Sequence, residues 1–353
     1  MRIAQIAPLY ESVPPERYGG TERVVAYLTD ALVDLGHEVT LFASAGAKTK
    51  AKLVASRDQP IRLDPCPLKS DLAAHLAMLH EVRKRADAFD ILHFHVDMIH
   101  FPLFEDRAAT TLTTIHGRLD MKDLADVYRR WPRYPLVSIS RAQRQPLRFA
   151  NWFETVHHGI PPDLCRFAPK ASRQLAFVGR ISPEKRPDRA IRVARSAGRL
   201  LKIAAKVDAA DAAYFRDRIE PMLATPSIEF VGELGDEAKS ALLSNSAALL
   251  FPIDWPEPFG LVMIEAMSCG TPVIAWDCGS VPEVIEHGVT GFIVHSEDEA
   301  VRVLAKVESL DRRRIREAFE RRFQATVMAR HYLDVYSRLV QKGSAHEPHL
   351  HIV

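Results

Sequence analysis

Cysteine is scarce in this chain of 353 residues, and the scarcity is informative. Four cysteines (Cys66, Cys165, Cys269 and Cys278) are scattered, with no CxxC pair and no metal-ligand spacing. They fit a reducing cytoplasm, where small thiols pack as apolar groups, and they argue against a disulfide-stapled secreted fold. Charge of one sign is also lacking. Lys and Arg number 47 and Asp and Glu 45, a net charge of +2, so no global field draws the chain onto nucleic acid. No apolar run is long enough to span a bilayer. Nothing resembles a signal peptide: the apolar start from Met1 to Ala7 is stopped by Pro8 and reads as a first strand. Low-complexity tracts and short repeats are missing. No GxGxxG follows a strand, which disfavours a hydride-transferring dinucleotide enzyme. No DxD motif stands at a strand end, which favours chemistry without a metal ion.

What is present is length for two cores and a regular alternation of short apolar runs with amphipathic segments. That alternation predicts parallel strands covered by helices. Strands are expected at Ile3–Ala7, Glu38–Phe42, Asp90–Phe94, Thr110–Ile115 and Leu136–Ile139, with helices at Thr21–Leu35 and Leu72–Ala86. A second series follows: strands at Gln174–Val178, Leu200–Ala204, Ile228–Val231, Ala247–Phe251, Val273–Ala275 and Gly291–Ile293, and a helix at Pro187–Ser196. The proline-punctuated stretch from Pro161 to Lys170 reads as a hinge. A last helical segment from Asp311 to Gln341 breaks near Ala325. The expected domains are residues 1–163 plus 325–345, residues 164–324, and a His-rich tail at 346–353. The fold class is α/β, two doubly wound parallel sheets facing a cleft, with ligands beyond the carboxyl ends of the strands.

The chemistry concentrates in Asp254-Trp-Pro-Glu257-Pro-Phe-Gly260-Leu-Val-Met-Ile-Glu265. Glu257 precedes a helix starting near Pro258 to Gly260, and Glu265 lies in its first turns. Helical side chains lean toward the N-terminus, so both carboxylates can line one opening. That opening also offers backbone N–H groups and the positive end of the helix dipole. Hydroxyl-accepting carboxylates beside a phosphate-friendly helix start describe a receptor for a sugar nucleotide. A second basic loop, Gly179-Arg180-Ile-Ser-Pro-Glu-Lys185, follows a strand, and Arg180 and Lys185 can converge on one anion from its two ends. Gly19 and Gly20 let backbone approach a phosphate closely just before the Thr21 helix start. His116 stands at a strand's carboxyl end beside Gly117. His93 and His95 share a face of the preceding strand with Asp97 beyond them, a set suited to acceptor-side polar contacts, to packing or to a metal ion.

Glu-Pro-Phe-Gly-Leu, the seven residues separating Glu257 from Glu265, Cys269-Gly-Thr-Pro-Val-Ile, Gly279-Ser-Val-Pro-Glu-Val-Ile and Gly288-Val-Thr-Gly-Phe together resemble glycosyltransferase family 4, whose members are retaining enzymes of GT-B fold. The resemblance runs from residue 3 to about residue 340. It implies that Arg180 and Lys185 bind the donor diphosphate and stand in for a divalent cation. It implies that Glu265 takes ribose hydroxyls and Glu257 donor-sugar hydroxyls, with the Phe259-Gly260-Leu261 backbone closing on sugar and phosphate. The Gly232-Glu233-Leu234 turn would lie near the base. The loop of Tyr18, Gly19, Gly20 and Thr21 would close over diphosphate and acceptor, and His116 would bond the donor sugar. The last helix would cross back onto the first domain, with Phe323, Tyr332 and Tyr336 docking it. Two departures stand out: His158 where relatives carry Asn, and Ala204-Ala205-Lys206 where they carry a glycine-rich turn.

The resulting expectation is a cytoplasmic, metal-independent, retaining hexosyltransferase. His116, Glu257, Arg180 and Lys185 would be its catalytic residues and a UDP-sugar its donor. The acceptor would be a glycan, a lipid-linked compound or a small molecule. A sugar-nucleotide epimerase and a non-catalytic sugar-nucleotide or glycan-binding protein are the alternatives. From Val127 to Phe153 six arginines mix with aromatics and no acid. That stretch suits either a peripheral contact with an anionic inner-membrane face or solvated arginines above buried rings.

Overall fold

A computed structural model describes residues 1–16, 19–66 and 68–344. The chain divides into two compact units, one of Met1–Gly159 with the segment from Ala325 onward, the other of Ile160–Gln324. Tyr18 and the His-rich tail lie outside the described residues.

The first unit is a seven-stranded sheet: β1 (Arg2–Ile6), β2 (Glu38–Ala43), β3 (Lys52–Ala55), β4 (Ile91–Phe94), β5 (Thr111–Ile115), β6 (Leu136–Ser138) and β7 (Trp152–Thr155). Their spatial order is β3-β2-β1-β4-β5-β6-β7, and every pairing is parallel. β4 and β5 are buried along their whole length, and of their polar members His93, Thr113 and Thr114 are buried with hydrogen-bond partners. The sequence gives no warning of β3 and β7. Both are four-residue edge strands, and each is only partly covered, so neither needs an apolar run.

The second unit carries β8 (Leu175–Arg180), β9 (Leu201–Lys206), β10 (Ile228–Gly232), β11 (Ala248–Phe251), β12 (Val273–Trp276) and β13 (Gly291–Val294), again all parallel. Their order is β10-β9-β8-β11-β12-β13. In each unit the connections run to opposite sides of the first strand, β1 or β8. This places a switch point between β1 and β4 and another between β8 and β11. Loops leaving the two strands there part from each other and open a crevice at their carboxyl ends.

The last helical stretch breaks at Phe323 and Gln324, giving the helices Arg312–Arg322 and Ala325–Ser344. Tyr332 and Tyr336 are fully buried in the first unit. Phe323 is not part of that docking. It sits in the second unit, 6.1 Å from the Phe259 ring, because the break falls after it and leaves its side chain with the preceding helix. Among the described residues, no helix is long and apolar enough to cross a membrane.

Candidate functional site

In the second unit the switch-point loops carry the expected charges. The loop after β8 holds Lys185 and the loop after β11 holds Glu257, and the Lys185 ammonium bonds Glu257 Oε2 directly. The same oxygen accepts from the Trp255 indole N–H at 2.9 Å. Lys185 Nζ also lies 4.7 Å above the Trp255 ring and 5.8 Å above Phe251. Both side chains are largely buried, so the ammonium is held by a carboxylate and two ring faces with little water.

Two glycines make this loop possible. Gly260, at φ 80°, turns the chain into the helix Leu261–Ser268, and a Cβ there would meet Met263 Cε at 2.8 Å. Gly279, at φ 58°, lies so near residue 257 that a Cβ would come within 2.4 Å of both the Glu257 nitrogen and its carbonyl oxygen. Ser280 completes the clamp: its N–H donates to the Glu257 carbonyl at 3.0 Å and its hydroxyl to the Phe259 carbonyl at 2.8 Å.

Glu265, in the second turn of that helix, is buried against Lys239, with Nζ to Oε1 at 2.7 Å. Lys239 stands on the helix Asp236–Ser244, which directly follows the turn of Gly232, Glu233 and Leu234. Gly232 takes φ 72° there. The ion pair therefore ties the expected base-side turn to the expected ribose-side carboxylate.

Arg180 and Lys185 hold different carboxylates. Arg180 reaches Glu184 at 2.9 Å, Asp208 at 3.5 Å and Asp211 at 4.0 Å, whereas Lys185 turns to Glu257. Carboxylates four residues along and just beyond β9 give Arg180 its own counter-charge. Lys206 takes Asp208 at 2.9 Å, and that hydrogen bond outweighs the opposing effect of burial and holds the Asp208 carboxyl below its ordinary value.

The first unit collects the histidines. His95 Nδ1 is 2.8 Å from His116 Nε2, and His95 Nε2 is 2.7 Å from Gln5 Oε1. Gln5 Nε2 reaches the Tyr336 hydroxyl at 3.1 Å. His93 bonds Tyr336 at 2.7 Å through Nδ1 and Thr114 at 2.7 Å through Nε2. His93 is wholly buried with both ring nitrogens used, so packing rather than acceptor contact describes it. These histidines do not form the conceivable metal set, and no cluster of metal-binding side chains occurs among the described residues.

His116 is part-buried at the end of β5, its ring stacked on His158 with centroids 5.2 Å apart. Desolvation pushes its pKa down to about 3, and burial lowers His95 and His158 as well. Asp97 follows β4 in the left-handed region at φ 50°, exposed by area but closely surrounded, and desolvation raises its carboxyl. Gly19 caps the helix Gly20–Asp34 at φ 149°, with Gly20 exposed and Thr21 part-buried behind it. In the arginine-rich stretch, Arg129, Arg130, Arg133, Arg141 and Arg148 are exposed while Tyr128 and Tyr134 are buried. Phe149 is the exception, exposed with the Arg129 guanidinium 4.6 Å above its ring.

Sequence reasoning missed several supporting residues. Trp255 stood inside the motif as an indole donor beside a carboxylate. Lys239 was signalled only by its Asp236-to-Lys239 spacing. Gln143 gave no signal: its amide donates to the Ile115 and Gly117 carbonyls at 3.0 and 2.8 Å and so holds the backbone on both sides of His116.

Comparison with known proteins gives concordant matches. The family described as glycosyl transferases group 1 matches residues 166–322, and that described as Glycosyltransferase Family 4 matches residues 18–170. The phosphatidyl-myo-inositol mannosyltransferase of Mycolicibacterium smegmatis is 26% identical over 339 residues, spanning 84% of this chain and 82% of that protein. Among solved structures, AviGT4, a glycosyltransferase involved in avilamycin A biosynthesis, superposes with a TM-score of 0.73 at 24% identity, covering 96% of this chain and 98% of that one. The sucrose-phosphate synthase of Thermosynechococcus elongatus does so with a TM-score of 0.76 at 18% identity, covering 97% and 99%.

Proposed function

Since the chain belongs to the family 4 glycosyltransferases and has their GT-B fold, we propose that it transfers a hexosyl group from a nucleotide-diphospho sugar to an acceptor hydroxyl, with retention and without a metal ion. By likeness to the mannosyltransferase the hexose is mannose and the acceptor an inositol-bearing compound. UDP is the expected base, with GDP its competitor.

The observation that carries this reading is the Lys185–Glu257 contact across the β8/β11 switch point. An ammonium has three N–H donors, so Lys185 can keep Glu257 Oε2 and offer another to a phosphate oxygen. Glu257, oriented by Trp255 and clamped by Ser280, accepts hydroxyls of the donor sugar. Gly260, at the helix start, has no side chain to cap the first N–H groups, which leaves that end suited to an anion. Arg180 exchanges its carboxylate partners for phosphate oxygens. Together the cations stabilise the charge that develops on the diphosphate as its bond to the anomeric carbon breaks. The acceptor hydroxyl forms the new bond on the same face, and its proton passes to a diphosphate oxygen of the leaving nucleotide. His116, neutral, bonds a donor-sugar hydroxyl.

Calorimetric titration with UDP, GDP and ADP in EDTA tests this. One nucleotide should bind, and the Arg180→Ala/Lys185→Ala variant should lose roughly a hundredfold or more in affinity, the worth of two charge-assisted hydrogen bonds. Unchanged affinity in that variant, or binding that needs a divalent cation, would overturn the assignment. Turnover of the donor without any acceptor would identify an epimerase instead.

A further inference from the structure

We propose that Gln5 and Tyr336 are positioning residues that fix the tautomer of His116, so that its Nδ1 is a hydrogen-bond acceptor for a substrate hydroxyl. The role in catalysis rests on the transferase reading above; the tautomer itself follows from the hydrogen-bond chain.

In that chain the Gln5 amide is the one member whose ends differ by nature, since Oε1 only accepts and Nε2 only donates. Oε1 lies 2.7 Å from His95 Nε2, so that nitrogen carries hydrogen. His95 is buried, which keeps its ring neutral and leaves Nδ1 bare. Bare Nδ1 lies 2.8 Å from His116 Nε2, which must then be the donor. His116 is neutral too, so its own Nδ1 holds a lone pair. That atom is buried and has no hydrogen-bond partner among the described residues. A buried acceptor in this state is ready for a hydroxyl and cannot act as an acid.

The other end of the chain shows what holds the amide. Gln5 Nε2 donates to the Tyr336 hydroxyl at 3.1 Å, and that hydroxyl donates to His93 Nδ1 at 2.7 Å. His93 Nε2 then donates to Thr114 Oγ1 at 2.7 Å, and Thr114 meets the Tyr332 hydroxyl at 2.9 Å. Both tyrosines come from the helix Ala325–Ser344. That helix thus orients Gln5, Gln5 orients His95, and His95 sets the proton on His116. The sequence reversal is all or none: only a turned Gln5 amide would put hydrogen on His116 Nδ1.

Long-range ¹H–¹⁵N spectra of the full chain, labelled at histidine and with no substrate present, read the tautomer directly, with His116→Gln identifying the signal. The wild type should carry hydrogen on Nε2. In Gln5→Met, which removes the acceptor of the His95 Nε2 hydrogen, His116 should show a mixture of the two tautomers. Tyr336→Phe should do the same, and it carries the test if Gln5→Met does not fold. Transfer kcat should fall roughly tenfold in either variant, about one hydrogen bond's worth, with donor affinity within about twofold. Hydrogen on Nδ1 in the wild type, or an unchanged tautomer in the folded variants, overturns the proposal and leaves the transferase reading standing. The expected tautomers with no transfer to any acceptor would instead sink the transferase reading and, with it, the catalytic role proposed here.

Discussion

Lys239 is the clearest case of a single residue on which a binding side chain depends. Glu265 is buried, and the Lys239 ammonium at 2.7 Å supplies its counter-charge. Asp236, at 3.2 Å, shares that ammonium. A buried carboxylate that loses its partner costs about 3–5 kcal/mol, far more than an exposed pair would. Lys239→Met should therefore destabilise the protein by about that amount in denaturant unfolding. Adding Glu265→Leu should restore much of the loss, because the uncompensated charge is gone. Equal stability of Lys239→Met and wild type would show that the pair is not buried in the way described. The same logic qualifies a variant such as Glu257→Ala: it would strand Lys185, so Glu257→Gln is the better probe of sugar binding.

At the scale of the element, the loop from β11 to the helix Leu261–Ser268 is shaped from outside itself, by Gly279 and Ser280 beyond β12. A methyl group on Gly279 would collide with backbone atoms of Glu257, which no rotamer change can relieve. Gly279→Ala should displace the Glu257 segment and weaken nucleotide binding at least tenfold, besides the roughly 1–2 kcal/mol cost of a left-handed Ala. Gly288, also left-handed at φ 78°, has nothing within 4 Å of the added methyl. Gly288→Ala should bear the backbone cost alone and bind normally. Matched affinities for the two variants would remove the argument that Gly279 holds the site.

For the molecule as a whole, the first unit is the acid-sensitive part. His75, His93, His95, His100, His116 and His158 are all held below the ordinary imidazole value, with burial the leading cause. A depressed folded pKa means that the unfolded chain binds more protons below about pH 6.5. Stability is full above that value and is lost as the pH falls, by up to about 1.4 kcal/mol per pH unit for each group. Glu22, raised by burial, acts in the opposite sense and offsets part of the loss as the pH falls further. The midpoint of thermal unfolding should fall steeply from pH 7.5 to pH 5.5; a flat profile would mean that these rings ionise in place. The sequence by itself determined the two parallel-sheet units, since buried parallel strands must be apolar and the helices between them amphipathic. It also determined where Glu257, Glu265, Lys185 and Arg180 stand, because strand ends, glycines and a helix start lie in one local stretch. Only the tertiary structure decided the partners: Lys185 with Glu257, Arg180 with Asp208, Lys239 with Glu265, and Gln5 with Tyr336. Such pairs join side chains from separate elements, and periodicity records which face a residue occupies but not what comes to meet it. The edge strands β3 and β7 escaped notice for the same reason, being defined by hydrogen bonds to a neighbour rather than by apolar residues of their own.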